Sequence, residues 1–261
     1  MIFRRFNIDD FEQVKSLYKD RLNFNIDLEL YYYLYSHNGE FYSCICEDDG
    51  KIIAHNAIIP RKYISHDKEL TIGLFSGGMV NTNYSGIFFQ LLKYCIKDFD
   101  GDGLIAFPNQ QSEPFFSKLL KFNGIRDNYF NLNKKDLNLN FNGYHLPEIT
   151  MHPLTLKNRL ENHPRNNYFK LYNNKTFVIY KKYKDQADVM YVSAFNSDLV
   201  QILIKLFKKG FEEINLIYSE PAEPLSLGFS NKNNNTFYYR WLNGEKNNLK
   251  FNCQMVDSDI F

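Results

Sequence analysis

The sequence predicts an α/β chain, more closely an α+β mixed sheet with helices on both faces. Three observations point to it. Three strand-like runs follow one another between 41 and 80, FYSCICEDD, GKIIAHNAIIPRKYIS and ELTIGLFSGGMV, and Asp48-Asp49-Gly50 supplies hairpin chemistry between the first two. A strand, helix, strand, helix unit comes next, through SGIFFQLLKYCIKDF and GLIAFPNQQSEPFFSKLLKF. From 168 onward a shorter set repeats the order strands, helix, strand.

Taken in order, residues 2–6 (IFRRF) read as a short strand. Asp10 with Gln13 is expected to cap a helix whose Phe11, Val14, Leu17 and Tyr18 share one face. A second helix, DLELYYYLYSH, starts from Asp27. After the three strands, the stretch from Ser85 places Ile87, Phe88, Leu91, Leu92, Cys95, Ile96 and Phe99 at helical spacing, and Asp100-Gly101-Asp102-Gly103 ends that helix. Leu104 to Phe107 form a continuous apolar run, which suits a strand buried on both faces. Pro108 removes a backbone donor, so any ladder through it stops or opens. Ser112 is expected to cap the next helix, with Glu113 and Pro114 in its first turn and Phe115, Phe116, Leu119 and Leu120 as one apolar stripe.

Residues 131–150 (NLNKKDLNLNFNGYHLPEIT) lose this regularity, being rich in Asn and without a helical stripe, so a boundary falls there and separates domains 1–135 and 136–261. Beyond it YFKLYNN, KTFVIYKKY and DVMYVSAF read as strands. Ser197 is expected to cap a helix carrying Leu199, Val200, Ile202, Leu203, Leu206 and Phe207, and INLIYSE reads as another strand. PAEPLSLGF, TFYYRWL and LKFNCQM close the chain.

Composition excludes some functions. Lys plus Arg total 31 against 30 Asp plus Glu, a net charge of +1, so no global field is available to hold a polyanion, and nucleic acid is not expected as a partner. No segment approaches the roughly 18 uninterrupted apolar residues of a membrane span, and the chain reads as soluble and cytoplasmic, with no membrane partner. The four cysteines include one Cys-x-Cys, Cys44 with Cys46, on a strand-like run, which suggests neither a zinc knuckle nor a disulfide framework. No metal is called for.

The first-half element order, with FPNQQSEPFFSKLLKF at its fifth strand and following helix, resembles the GNAT superfamily of acyl-CoA-dependent N-acetyltransferases. Four stretches resemble, more narrowly, the two-part GNAT proteins of bacterial surface-polysaccharide gene clusters: AHNAIIP at 54–60, SGGMV with SGIFFQLL at 76–92, FPNQQS at 107–112 and RLENHPRNNY at 159–168, with DSDIF at 257–261 as a further match. The resemblance implies the GNAT acyl-CoA N-acyltransferase fold with a second, shorter GNAT-like half. It also implies acetyl-CoA as co-substrate and a small-molecule amine as acceptor, a nucleotide-linked amino sugar; the oligomeric state stays open.

An acyl-CoA pyrophosphate needs backbone N–H groups at a helix N-terminus, where unpaired amides and the macrodipole favour negative charge. Ser85, Gly86 and Ile87 stand at the start of the strongest helix, and Asn83 lies where the family has Arg or Gln; of the family's glycines NYSGIF keeps Gly86. The resemblance implies that the fourth and fifth strands splay to admit the pantetheine arm. Pro108 and Asn109 would then end the fifth strand, with Asn109 bridging the opened backbone or bonding the arm, and Met79 or Val80 N–H would serve the tetrahedral oxyanion. His55, mid-strand, is a candidate proton acceptor with a near-neutral pKa, or else a structural histidine. Phe116 stands where many GNAT enzymes have a tyrosine acid, which leaves Ser112, Glu113 or water to protonate the leaving thiolate, unless the thiolate leaves without an acid.

Arg159, His163, Arg165 and Tyr168 would grip a sugar-nucleotide diphosphate or else form interdomain salt bridges. Tyr31, Tyr32, Tyr33 and Tyr35 would line an acceptor pocket or belong to the core. Two alternatives stand beside the acetyltransferase reading: a non-catalytic GNAT-like ligand- or partner-binding module, and a Fem-like aminoacyl transferase.

Overall fold

The computed structural model describes residues 1–37, 39–65, 68–84, 86–147, 149–161, 163–164, 167–219, 222–242 and 254. The chain forms two compact units, each with its own apolar core. Unit 1 is Met1–Lys62, Leu70–Phe122 and Tyr239–Glu245; unit 2 is Tyr63–Glu69, Asn123–Tyr238 and Lys246–Phe261. Among the described residues no helix is long and apolar enough to cross a membrane.

Unit 1 begins with strand β1 (Ile2–Arg5) and passes through one 3-10 turn at Ile8–Asp10 into helix α1 (Phe11–Leu22). The start of this helical stretch corrects the sequence reading, because Asn7 rather than Asp10 with Gln13 caps it. Asn7 N–H donates to Asp10 Oδ2 at 2.7 Å while Asn7 Oδ1 accepts from Asp9 N at 3.4 Å. Asp10 also receives both guanidinium arms of Arg4, at 2.7 and 2.8 Å. Burial works against the Asp10 charge, but the Arg4 hydrogen bond helps to hold its carboxyl below the ordinary value. Gln13 instead ties α1 to the first hairpin turn, donating to Gly50 O and accepting from Ile52 N. The expected apolar face is present: Phe11, Val14, Leu17 and Tyr18 are all buried.

Helix α2 (Leu28–Tyr35) starts where Asp27 Oδ1 accepts from Leu30 N at 2.8 Å. A short pair, β2 (Ser36–His37) with β3 (Glu40–Phe41), leads into the long strands β4 (Ser43–Asp48), β5 (Lys51–Ser65) and β6 (Lys68–Val80). Between β4 and β5, Asp49 (φ 47°) and Gly50 (φ 75°) are both left-handed, the type I′ geometry that Asp-Gly favours. Helix α3 (Ile87–Asp98) then crosses to β7 (Gly103–Ala106), which lies parallel to β6 and is buried along its whole length. The strand order is β1-β4-β5-β6-β7, with Tyr239 to Trp241 of the chain's last strand beside β7.

After β7 the expected helix is replaced by a single π-turn, Phe115–Leu119, closed by Leu120 N–H donating to Phe115 O. The wider winding separates the four apolar residues that an α-helix would have aligned. Phe116 and Leu120 are buried at 5%, whereas Leu119 is 53% exposed. Asn109, not Ser112, caps the turn that leads into it: its Oδ1 accepts from Ser112 N at 3.0 Å and Gln111 N at 3.1 Å. The turn ends at Lys121, exposed and left-handed (φ 56°), beyond which Phe122 N–H donates to Phe116 O. A side chain in this conformation costs about 1 kcal/mol relative to glycine. Lys121→Gly is expected to raise stability by about 0.5 kcal/mol, after the extra freedom of glycine in the unfolded chain is subtracted, read as a higher urea midpoint at constant slope.

Unit 2 contains β8 (Asn123–Asn133), β9 (Thr150–Met151), α4 (Pro153–Glu161), β10 (Tyr168–Asn173), β11 (Thr176–Tyr183), β12 (Gln186–Val192), α5 (Ser197–Lys208), β13 (Glu213–Tyr218), α6 (Ala222–Ser226) and β14 (Ser230–Trp241). Its order is β14-β8-β13-β12-β11-β10, with β12 and β13 parallel and α5 as their crossover. Helix α5 is capped by Asn196 rather than by Ser197. Asn196 is extended (φ −157°), its Oδ1 accepts from Leu199 N, and its amide donates to Thr176 Oγ1 at 2.8 Å. Strand β8 runs to Asn133, inside the stretch expected to be irregular. Phe130 and Leu132 are fully buried on its core face, and on the other Asn131 donates to Asn215, which donates to Asp188. A cross-strand ladder of side-chain amides thus compensates for Asn being a poor strand former.

Candidate functional site

The site in unit 1 starts from a mismatch in strand length. β6 and β7 pair at Ile72↔Gly103, Gly73↔Leu104 and Leu74↔Ile105; β7 then ends at Ala106 while β6 runs on to Val80. Pro108 has no N–H to extend the ladder, and Asn109 turns the chain away. The last six residues of β6, Phe75 to Val80, therefore have no β7 partner. They carry the two expected oxyanion donors, Met79, which is buried, and Val80, which is half-buried.

The middle of this free stretch is shaped from below. Gly77 is left-handed (φ 63°), and any Cβ there would come within 2.5 Å of both Tyr18 Oη and Tyr35 Oη. Those two hydroxyls are bonded to each other, Tyr18 donating. Gly77 O accepts from His55 Nδ1 at 2.8 Å, so His55 Nε2 is the acceptor nitrogen, and Tyr31 Oη donates to it at 3.0 Å. His55 is 0% exposed, with the rings of Tyr18, Tyr31 and Tyr35 at 5.3 to 5.8 Å. Burial pushes the imidazole down to about 4, against the opposing effect of the Gly77 carbonyl, so it is neutral at physiological pH and the expected near-neutral pKa does not occur. Tyr31 is likewise fully buried, whereas Tyr32 is 39% exposed.

Beyond Val80 the chain makes a 3-10 turn at Thr82–Tyr84, in which Asn83 is exposed and donates its N–H to Asn81 Oδ1. Ser85 lies outside the described residues. Gly86 is the N-cap of α3, with ordinary helical backbone (φ −68°) and open space where a Cβ would be. No side chain caps this helix among the described residues, and no acidic residue stands in its first turn, where Ile87 is buried. Among the described residues no side chain takes the N-terminal amides of α3.

The second arm holds Asn109, Ser112 and Glu113 within one turn. Ser112 Oγ donates to Asn109 Oδ1 at 3.0 Å, Glu113 is exposed, and among the described residues the Asn109 amide nitrogen has no partner. Phe116 is buried edge-on against Phe75 and Phe122. The two arms meet through residues the sequence reading did not single out as a pair. Phe88, in the first turn of α3, stands edge-on to Phe115 with centroids 5.6 Å apart, and its ring lies where a Cβ on Gly78 would touch it. The Gly77-Gly78 pair was the available signal for this close approach.

The remaining candidates are in unit 2. Arg159 is half-buried on α4, and the His163 ring stands edge-on to Tyr168 at 5.9 Å. Arg165 lies outside the described residues.

No family model matches the sequence, and no curated protein matches it. The structure does match solved proteins, and it has the GNAT fold. It is similar to a GCN5-related N-acetyltransferase from Anabaena variabilis ATCC 29413 (TM-score 0.70, 9% identity, 93% of this chain and 73% of that one). It is also similar to one from Kribbella flavida (0.68, 10%, 93% and 72%) and to Eis1 from Mycobacterium abscessus (0.67, 9%, 94% and 75%).

Proposed function

We propose that this chain is an acetyl-CoA-dependent N-acetyltransferase of the cytoplasm, transferring an acetyl group to the amine of a small acceptor. The observation that carries the reading is the opening between β6 and β7, with the N-terminus of α3, which no described side chain caps, following the end of β6 that β7 leaves unpaired. An extended pantetheine arm would lie along Phe75 to Val80, and its pyrophosphate would take the amides at Gly86 and Ile87, with Asn83 beside it. Little covalent help is then needed. The amine attacks the thioester carbonyl, the C–N bond forms, and the oxyanion is met by Met79 or Val80 N–H. The C–S bond breaks, and the amine proton passes by way of Glu113, Ser112 or water to the leaving thiolate. Asn109 would bond the arm through its amide nitrogen.

His55 fits this scheme as a positioning residue. Held neutral, it fixes the Gly77 carbonyl and so the course of β6 toward Met79. The acceptor reading, a nucleotide-linked amino sugar for surface polysaccharide, rests on the resemblance of the four quoted stretches. Tyr32 would stack on that acceptor over a core formed by Tyr31. Calorimetry with acetyl-CoA, and with free CoA as comparison, tests the reading. Micromolar binding is expected, followed by free-thiol release when amino-sugar nucleotides are added; no binding up to millimolar would sink it. Phe116, apolar where relatives have an acid, favours a second reading as a non-catalytic binding module. Tight acetyl-CoA binding without thiol release to any amine would select that one.

A further inference from the structure

Unit 2 has a second opening between parallel strands, and this one is occupied. β12 and β13 pair from Gln186↔Glu213 to Val189↔Leu216, after which β12 continues to Val192 and β13 to Tyr218. Val192 is 1% exposed and Tyr218 0%, so polar backbone between the diverging ends is cut off from water and must find partners. Gln254 supplies them. Its Oε1 accepts from Val192 N at 2.7 Å, and its Nε2 donates to Val192 O at 3.1 Å. The Gln254 backbone forms an antiparallel bridge with Tyr218, and the residue is 3% exposed. One residue thus reaches both sides of the opening, with its carboxamide on β12 and its main chain on β13.

The geometry points to a carboxamide-binding site between β12 and β13, and to the chain's own Gln254 as its occupant. The chemistry is specific. Val192 presents one donor and one acceptor, and a primary carboxamide answers both at once, its oxygen on the N–H and its NH₂ on the carbonyl. A carboxylate would meet the N–H but oppose the carbonyl. An ammonium would do the reverse. The apolar wall fits the same occupant: Phe195 and Tyr218 are fully buried with ring centroids 4.6 Å apart, so a charged head in this position would be desolvated. Unit 2 is thereby closed to an outside extended ligand, in contrast with the free end of β6 in unit 1. This inference stands apart from the acetyltransferase reading, because its test involves no acyl-CoA.

The first measurement uses the unaltered chain: NMR through-hydrogen-bond coupling from the Val192 amide nitrogen to the Gln254 side-chain carbonyl carbon. A resolved coupling is expected. Its absence, with both resonances assigned, would overturn the assignment. The second compares hydrogen exchange in the unaltered chain and in Gln254→Ala, with the Leu203 amide of α5 as a reporter that unit 2 remains folded. The Val192 amide is expected to exchange at least tenfold faster in the variant while Leu203 changes less than twofold. An unchanged rate at Val192 would show that Gln254 does not hold the opening.

Discussion

Gly86→Glu is expected to weaken acetyl-CoA binding at least 100-fold and to leave thermal unfolding unchanged. The two halves of this result have separate causes. Gly86 has ordinary helical angles and nothing within 4 Å of an added Cβ, so the backbone and the packing accept a side chain. A carboxylate at the start of α3 also complements the helix macrodipole, worth about 0.3–1 kcal/mol, so stability does not fall. Against a pyrophosphate the same charge is repulsive, on the order of 4 kcal/mol for unit charges 4 Å apart near a protein surface. A 100-fold loss needs about 2.7 kcal/mol, well within that range. Calorimetry on the variant and on Gly86→Ala separates charge from bulk, with Ala expected within about threefold of the parent. Unchanged affinity in Gly86→Glu would remove the phosphates from the start of α3 and with them the proposed site.

Much of unit 1 was legible because the signals are local. The Asp49-Gly50 turn, the start of the second helix at Asp27 and the stripes of α1 and α3 depend on chain geometry within a few residues, and each appears as read. The failures came where a competing partner decides, whether near in sequence or far from it. Asp10 looks like a helix cap, but Arg4 and Asn7 claim its oxygens. Phe115 to Leu120 reads as an α-helical stripe, but Asn109 caps three residues early and the chain winds as a π-turn. Strand β8 was hidden by asparagines whose amides are satisfied only once β12 and β13 are in place. The candidate site divides in the same way. The break after β7 is visible in Pro108-Asn109, whereas the burial of His55 depends on three tyrosines from α1 and α2 that no spacing connects to it. Gln254 had no sequence signal at all, since its partners lie 62 residues away on Val192.

Between pH 6.5 and pH 4 the chain is expected to lose about 3 kcal/mol of stability through the single imidazole of His55. Its folded pKa of about 4 lies below the unfolded 6.5, so in this interval the unfolded chain binds a proton that the folded chain refuses. Above 6.5 both states hold the neutral ring and the contribution is complete. It declines as pH falls, and is fully lost once the pH passes below 4. His37 is shifted in the same direction, by burial and then Lys62, but it is half-exposed and contributes little. The Asp10 carboxyl, held below the ordinary carboxylate range, titrates below this window. His55→Gln keeps a neutral amide donor for the Gly77 carbonyl and has nothing to titrate, so its denaturation midpoint should be nearly flat across the same interval. Parallel slopes for the parent and the variant would mean that His55 is not held neutral in the core. The expected divergence would also bear on function, because protonating Nε2 removes the acceptor for Tyr31 Oη and loosens the ring that fixes Gly77. Acetyl transfer in the parent should then fall below pH 5 more steeply than in His55→Gln, while the KM for acetyl-CoA, set at α3, stays level.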